Sequence, residues 1–113
     1  MYPSGPWIGH WDQHGLGRQP MHDLTIEFEG RRLAGKGWDC VGSFTMSGAI
    51  RSNHNVRIIK KYVDRHAVLY EGQHDGEGTI FGVWALASDN GTFALRPSGG
   101  FRNSRQEIPE FRP

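Results

Sequence analysis

Alternation with a period of two, broken by turn residues about every ten positions, is the pattern that most constrains this chain. In HDLTIEFEG, Leu24, Ile26 and Phe28 fall on one side and Thr25, Glu27 and Glu29 on the other, the mark of a half-buried strand. Similar segments run from Trp7 to Asp12, over 31–40 and 43–51, and through VRIIKKYV, AVLYEG, TIFGVWAL and TFALRP. Between them stand EGRR, DCVG, SNHN, DRH, QHDGEG and SDNG, rich in the Gly, Asn and Asp that tight turns use. Gly30 is expected to supply a positive φ, and Asn90-Gly91 is a two-residue hairpin signal. No stretch has convincing helical periodicity.

Sequential strands with short connections predict an all-β fold, an eight-stranded antiparallel up-and-down (meander) β-barrel. Closure removes the exposed edges that an open sheet would leave; an open sandwich is the alternative. The barrel is expected over residues 1–97 as a single domain. Residues 98–113 read as a polar C-terminal extension, since Pro97, Pro109 and Pro113 discourage further pairing, with Phe101 and Phe111 as its candidate anchors.

A length of 113 residues fits one domain with a core of its own. Thirteen basic residues against twelve acidic ones leave no electrostatic footprint for nucleic acid. No stretch approaches the ~20 apolar residues of a membrane helix, so no membrane is expected; no basic and apolar leader opens the chain, so no secretory signal is visible. The lone Cys40 excludes an intrachain disulfide and suits a reducing, cytoplasmic setting.

Gly9-x-Trp11, opening a short eight-stranded meander, resembles the start of the calycin superfamily: lipocalins, fatty-acid-binding proteins and avidins. Length and short connections make the chain most similar to the avidin-like members. The resemblance implies a barrel whose Trp11 plugs the closed end. It covers residues 7–97 in architecture but only Gly9 and Trp11 in motif, and avidin's biotin contacts have no counterparts here.

Parity assigns the inner face. It holds Trp7, Gly9 and Trp11; Leu24, Ile26 and Phe28; Leu33, Gly35, Gly37 and Asp39; Phe44, Met46, Gly48 and Ile50; Val56, Ile58, Lys60 and Tyr62; Val68, Tyr70 and Gly72; Ile80, Gly82, Trp84 and Leu86; Phe93 and Leu95. Glycine packs nothing and weakens a strand. Either these glycines fit against the tryptophans in a filled taper, or they hollow out one end for a guest; the second reading is preferred. Asp39, Phe44, Met46, Tyr62, Tyr70 and Trp84 are then the candidate ligand-binding residues, because a pocket needs a few convergent polar groups among apolar walls. Against this, Asp39 is expected to cap the DCVG turn, the two tyrosines to point their hydroxyls out of the mouth, and Lys60 to be solvated.

His10, Asp12 and His14 share a strand face at a spacing that can serve a metal, but they lie outside, and no metal or cofactor is expected. No nucleophile–base order stands out, and the Gly15–Gly17 and Gly72–Gly78 stretches precede no helix, as a phosphate loop would require. Trp38, Cys40, Ile59, Val63, Leu69, Phe81, Val83 and Ala85 point outward, and a patch of Leu69, Phe81 and Val83 predicts a homo-oligomer. Three functional classes follow. One is a barrel that binds a small apolar or aromatic molecule at one open end. The second is an oligomeric interaction module with a filled core. The third is a barrel isomerase or cyclase that uses Asp39 or a tyrosine for proton transfer.

Overall fold

The computed structural model describes residues 2–99; the extension from 100 onward, with Phe101, Pro109, Phe111 and Pro113, lies outside the described residues. Eight strands follow in sequence: β1 (Gly5–Gln13), β2 (Gly17–Glu29), β3 (Arg32–Trp38), β4 (Ser43–Ile50), β5 (Asn55–Tyr62), β6 (Ala67–His74), β7 (Ile80–Leu86) and β8 (Asp89–Pro97). Each pairs antiparallel with the next, and β8 returns to β1, closing the barrel. In the closing seam Gly9 lies opposite Leu95 and Trp11 opposite Phe93. Among the described residues the only helical turn is a short 3-10 segment, Ser52–His54.

Parity places the core correctly in every strand. In β5, where Ile59 competes for the interior, Val56, Ile58, Lys60 and Tyr62 are all buried and Ile59 is exposed. Pairing of β5 with two neighbours that alternate in phase overrides its local ambiguity. Phe28 and Leu86 are only partly buried, and Tyr2 and Met21 join the core from positions outside the expected strands.

Several boundaries differ from the sequence reading. β1 and β2 extend toward each other, so their hairpin is tight and His14 sits in the turn instead of on the His10 face. Gly30 has its expected positive φ of 62°. The β7–β8 turn, however, falls on Ala87 and Ser88, with Ala87 at φ 48°, while Asn90 and Gly91 lie inside β8 opposite Ala85 and Trp84. Gly91 serves a different need: a Cβ there would collide with the Asp12 carbonyl and the Trp84 indole. Pro97 pairs with Trp7 as the last residue of β8, a strand end where a missing N–H is tolerated.

The inner-face glycines do not hollow the barrel. A Cβ on Gly35 would stand 2.7 Å from the Thr25 carbonyl oxygen, and one on Gly37 2.9 Å from that of His22. On Gly48 it would strike the Arg57 carbonyl oxygen, on Gly72 that of Phe81 and on Gly82 that of Glu71. Gly72 and Gly82 are paired directly across β6 and β7. The expectation of space is therefore corrected: these glycines let strongly coiled neighbouring strands approach and bend, as closure of a small barrel demands.

Because backbone cannot move aside as a side chain can, Gly48→Ala and Gly82→Ala should each lower unfolding free energy by about 1–3 kcal/mol in urea titrations. Unchanged stability in both would mean that the walls can part to make room.

Candidate functional site

The two ends of the barrel differ. At one end Tyr2 folds under the wall and packs against Trp7, with ring centroids 5.6 Å apart, and against Phe28 at 5.8 Å. The segment is tied down there: the Trp7 indole donates to the Pro3 carbonyl at 2.9 Å, and Ser4 Oγ accepts from the Phe28 amide at 2.7 Å. This end is stoppered by aromatic rings. Trp11 lies toward the other end, so it is buried as the Gly-x-Trp resemblance requires but does not plug the closed end; Trp7 and Tyr2 do that.

Toward the open end the core turns polar. Among the described residues, Asp39 and Lys60 are the buried charged ones, at 4 % and 1 % exposure. Lys60 Nζ lies 2.6 Å from Asp39 Oδ2 and donates to the Tyr70 hydroxyl at 3.2 Å. The same carboxylate oxygen accepts from Tyr62 at 2.7 Å and from the Trp11 indole at 3.0 Å. Its other oxygen takes the Val41 amide at 2.9 Å. Asp39 thus both caps the turn, as expected, and anchors the interior. The ammonium also sits 4.3 Å from the centre of the Phe44 ring and 4.8 Å from that of Tyr62, where ring faces favour a cation.

Lys60 was expected in solvent, and Tyr62 and Tyr70 were expected to present their hydroxyls to it. The structure overturns both expectations. Strand pairing forces the outcome: Lys60 sits opposite Met46 and Val68, both buried, so its stem must run inside and its head must find a counter-charge. Asp39, just past the end of β3 and across β4 from Lys60, supplies it. The signal present in the sequence was one inward lysine and one inward aspartate on the same parity; a barrel interior leaves each no other partner.

Burial works to raise the Asp39 pKa, but the Lys60 hydrogen bond and charge, with Tyr62 and the Val41 amide, hold it below the ordinary carboxylate value. Desolvation pulls the Lys60 ammonium down, and Asp39 opposes that pull. Burial, reinforced by the Asp39 charge, pushes both tyrosines up, so both stay protonated near neutrality. The Tyr62 proton goes to Asp39. Tyr70 accepts from Lys60, and its own proton has no acceptor among the described residues.

Tyr62 and Tyr70 form the floor of a cavity of about 80 Å³ at this mouth, with Trp11, Val68, Trp84 and Leu86 as walls. Its rim is polar: His66 stands on it, and Gln13 Nε2 donates to Asp89 Oδ2 at 2.5 Å. The Trp84 indole donates to the Asp12 carbonyl, fixing that wall. The volume holds a few waters or a small molecular fragment. Of the six candidate ligand residues, Tyr62, Tyr70 and Trp84 line it, Asp39 braces the floor from below, and Phe44 and Met46 pack deeper in the core. Val68 and Leu86 were not singled out as site residues. A larger depression of about 1090 Å³ lies on the outer wall between Glu27, Ser47 and Arg57. Neither buried charge faces it, and the polar interior makes the mouth the better candidate.

Among the described residues no group of three or more His, Cys, Asp and Glu side chains is placed to hold a metal. No helix there is long and apolar enough to cross a membrane. No family model, curated protein or solved structure matches the chain. What stands is the class that the fold defines: a closed eight-stranded meander barrel, compatible with a calycin-like architecture.

Removing one member of a buried ion pair strands the other. Asp39→Ala should therefore cost about 3–5 kcal/mol, whereas Lys60→Met, which leaves Asp39 its Tyr62, Trp11 and Val41 donors, should cost less. A depressed carboxylate pKa stabilises fully above the unfolded value of about 4 and loses that contribution as pH falls through the lower folded value. The stability gap between wild type and Asp39→Asn should accordingly narrow on acidification below about pH 4. A gap independent of pH would show that Asp39 is not ionised in the fold.

Proposed function

We propose that this chain is a calycin-like small-molecule-binding barrel whose ligand enters the mouth between Trp11, Trp84 and Tyr70. The observation that carries the reading is the Tyr70 hydroxyl. It is buried, receives a hydrogen bond from an ammonium, belongs to a residue that lines the cavity, and has no acceptor for its own proton among the described residues. A buried donor without an acceptor costs about 1–3 kcal/mol, and a ligand acceptor atom in the cavity relieves that cost. The ligand is small, carries an apolar or aromatic body for the indole walls, and offers an oxygen or nitrogen acceptor to Tyr70. It has no net negative charge to place, because Asp39 already neutralises Lys60.

A barrel isomerase or cyclase fits less well. Both Asp39 oxygens are engaged, and the Tyr62 proton is committed to one of them, so neither group is poised to take a proton from a guest. The second reading, a homo-oligomeric module, draws on the outer wall. Phe81 and Val83 are 43 % and 53 % exposed on β7, and Ile59 is 44 % exposed on β5; such faces mark interfaces when they are contiguous.

Native mass spectrometry of protein purified from its own source should reveal a bound small molecule. Val68→Phe should fill the cavity and abolish retention of that molecule, and Tyr70→Phe should weaken it by about ten-fold, the worth of one hydrogen bond. Retention unaffected by Val68→Phe in a folded protein would place the ligand elsewhere. The oligomer reading is checked separately by sedimentation: Phe81→Glu with Val83→Glu should shift an assembled wild type to monomer, and a wild type already monomeric at high concentration removes it.

A further inference from the structure

At the stoppered end, far from the mouth and independent of it, a histidine from a connection meets one from a strand end. His54 ends the 3-10 turn between β4 and β5, and His74 is the last residue of β6. Their nitrogens, Nδ1 of His54 and Nε2 of His74, are 3.1 Å apart in an exposed position. The ring centroids are only 4.6 Å apart with planes at 62°, so the rings lean over one another instead of meeting head-on.

The backbone is strained to achieve this. Asn53 and His54 are consecutive non-glycine residues at φ 63° and 65°, a conformation unfavourable for residues with a Cβ. Asn tolerates it; His does so at some cost. The partner is held rigidly: His74 belongs to the sheet and meets the Tyr2 ring edge-on at 5.6 Å. A solvent-exposed hydrogen bond between neutral imidazoles contributes too little to explain a strained turn that delivers His54 to this point.

We infer that His54 and His74 form a two-imidazole chelate for a divalent transition metal of tetragonal preference, such as Cu²⁺ or Ni²⁺, with water or an external ligand completing the coordination. The dimensions agree. With the ordinary metal–imidazole length of about 2.1 Å, nitrogens at this separation subtend about 95° at the metal. That is compatible with neighbouring positions of a square or octahedral site, so one ion can be reached by both rings with little movement. The Asp75 carboxylate lies alongside and adds favourable negative charge. Its Oδ1 is occupied by the Glu77 and Thr79 amides, so it acts at a distance and not as a third ligand.

The test uses the full chain without an affinity tag. Titration with Cu²⁺, followed by electron paramagnetic resonance and by thermal melting, should show one equivalent bound with nitrogen hyperfine structure from two imidazoles. Metal should raise the melting temperature, since it ties the β4–β5 connection to β6. His74→Ala should weaken binding by more than ten-fold, whereas His66→Ala, at the opposite end, should leave it unchanged. His54→Gly is the sharper variant. It relieves the left-handed strain, so the metal-free protein should melt no lower than wild type, yet metal should no longer stabilise it. Equal Cu²⁺ affinity in wild type, His54→Gly and His74→Ala overturns the inference, as does loss of the signal only in a histidine outside this pair. A His54→Gly protein that melts well below wild type without metal would show that His54 is kept for folding, and would overturn it equally.

Discussion

A carboxylate at the end of β3 and an ammonium in the middle of β5 meet inside the barrel, and much of the molecule's organisation follows from that meeting. Neither charge could be buried alone. Together they take three further hydrogen bonds to the carboxylate and one from the ammonium to Tyr70, which is the degree of satisfaction that a buried pair needs before it stops being a liability. The contact links β1, through Trp11, with β5 and β6 and with the β3–β4 turn. A one-residue slip of β5 would move Lys60 to the outside and leave Asp39 without its counter-charge, so the pair fixes register as well as position. It also sets the chemistry of the mouth, since Tyr62 and Tyr70, which line the cavity, both hydrogen-bond to that network.

The architecture was legible because two periodicities coincide: alternation within strands and turn residues between them. Even the seam could be read, since a meander of this strand count closes by pairing first with last. The glycines misled because absence of a side chain has two opposite consequences, empty space or closer backbone, and composition does not distinguish them. Gly48, Gly72 and Gly82 have carbonyl oxygens where a side chain would begin. Asn90-Gly91 misled for a related reason. The dipeptide suits a hairpin turn, but the register across β7 and β8 moves the turn to Ala87 and requires a glycine beside Trp84.

The site was half legible. Parity put Asp39, Tyr62, Tyr70 and Trp84 inside, and the need for convergent polar groups linked them. Parity put Lys60 inside as well, yet it was expected in solvent, because a lysine on its own is nearly always better off in water. Its burial depends on a partner more than twenty positions away, which no local pattern can reveal. The histidine pair was hidden in the same way: His54 lies in the turn before β5 and His74 at the end of β6, and only the pairing of those two strands brings them to one rim.

The wall and the stopper of this barrel are made from different things. Every strand is hydrogen-bonded on both sides around a complete ring, whereas the ring of Tyr2 that seals one end belongs to a short strap preceding β1. That strap is fastened through Pro3 and Ser4 and by packing of Tyr2 against Trp7 and Phe28. Lifting it breaks no rung between strands. The seal at that end therefore rests on contacts of the strap, while the cylinder rests on backbone pairing, so a substitution in the strap can alter the seal without removing any pairing between strands.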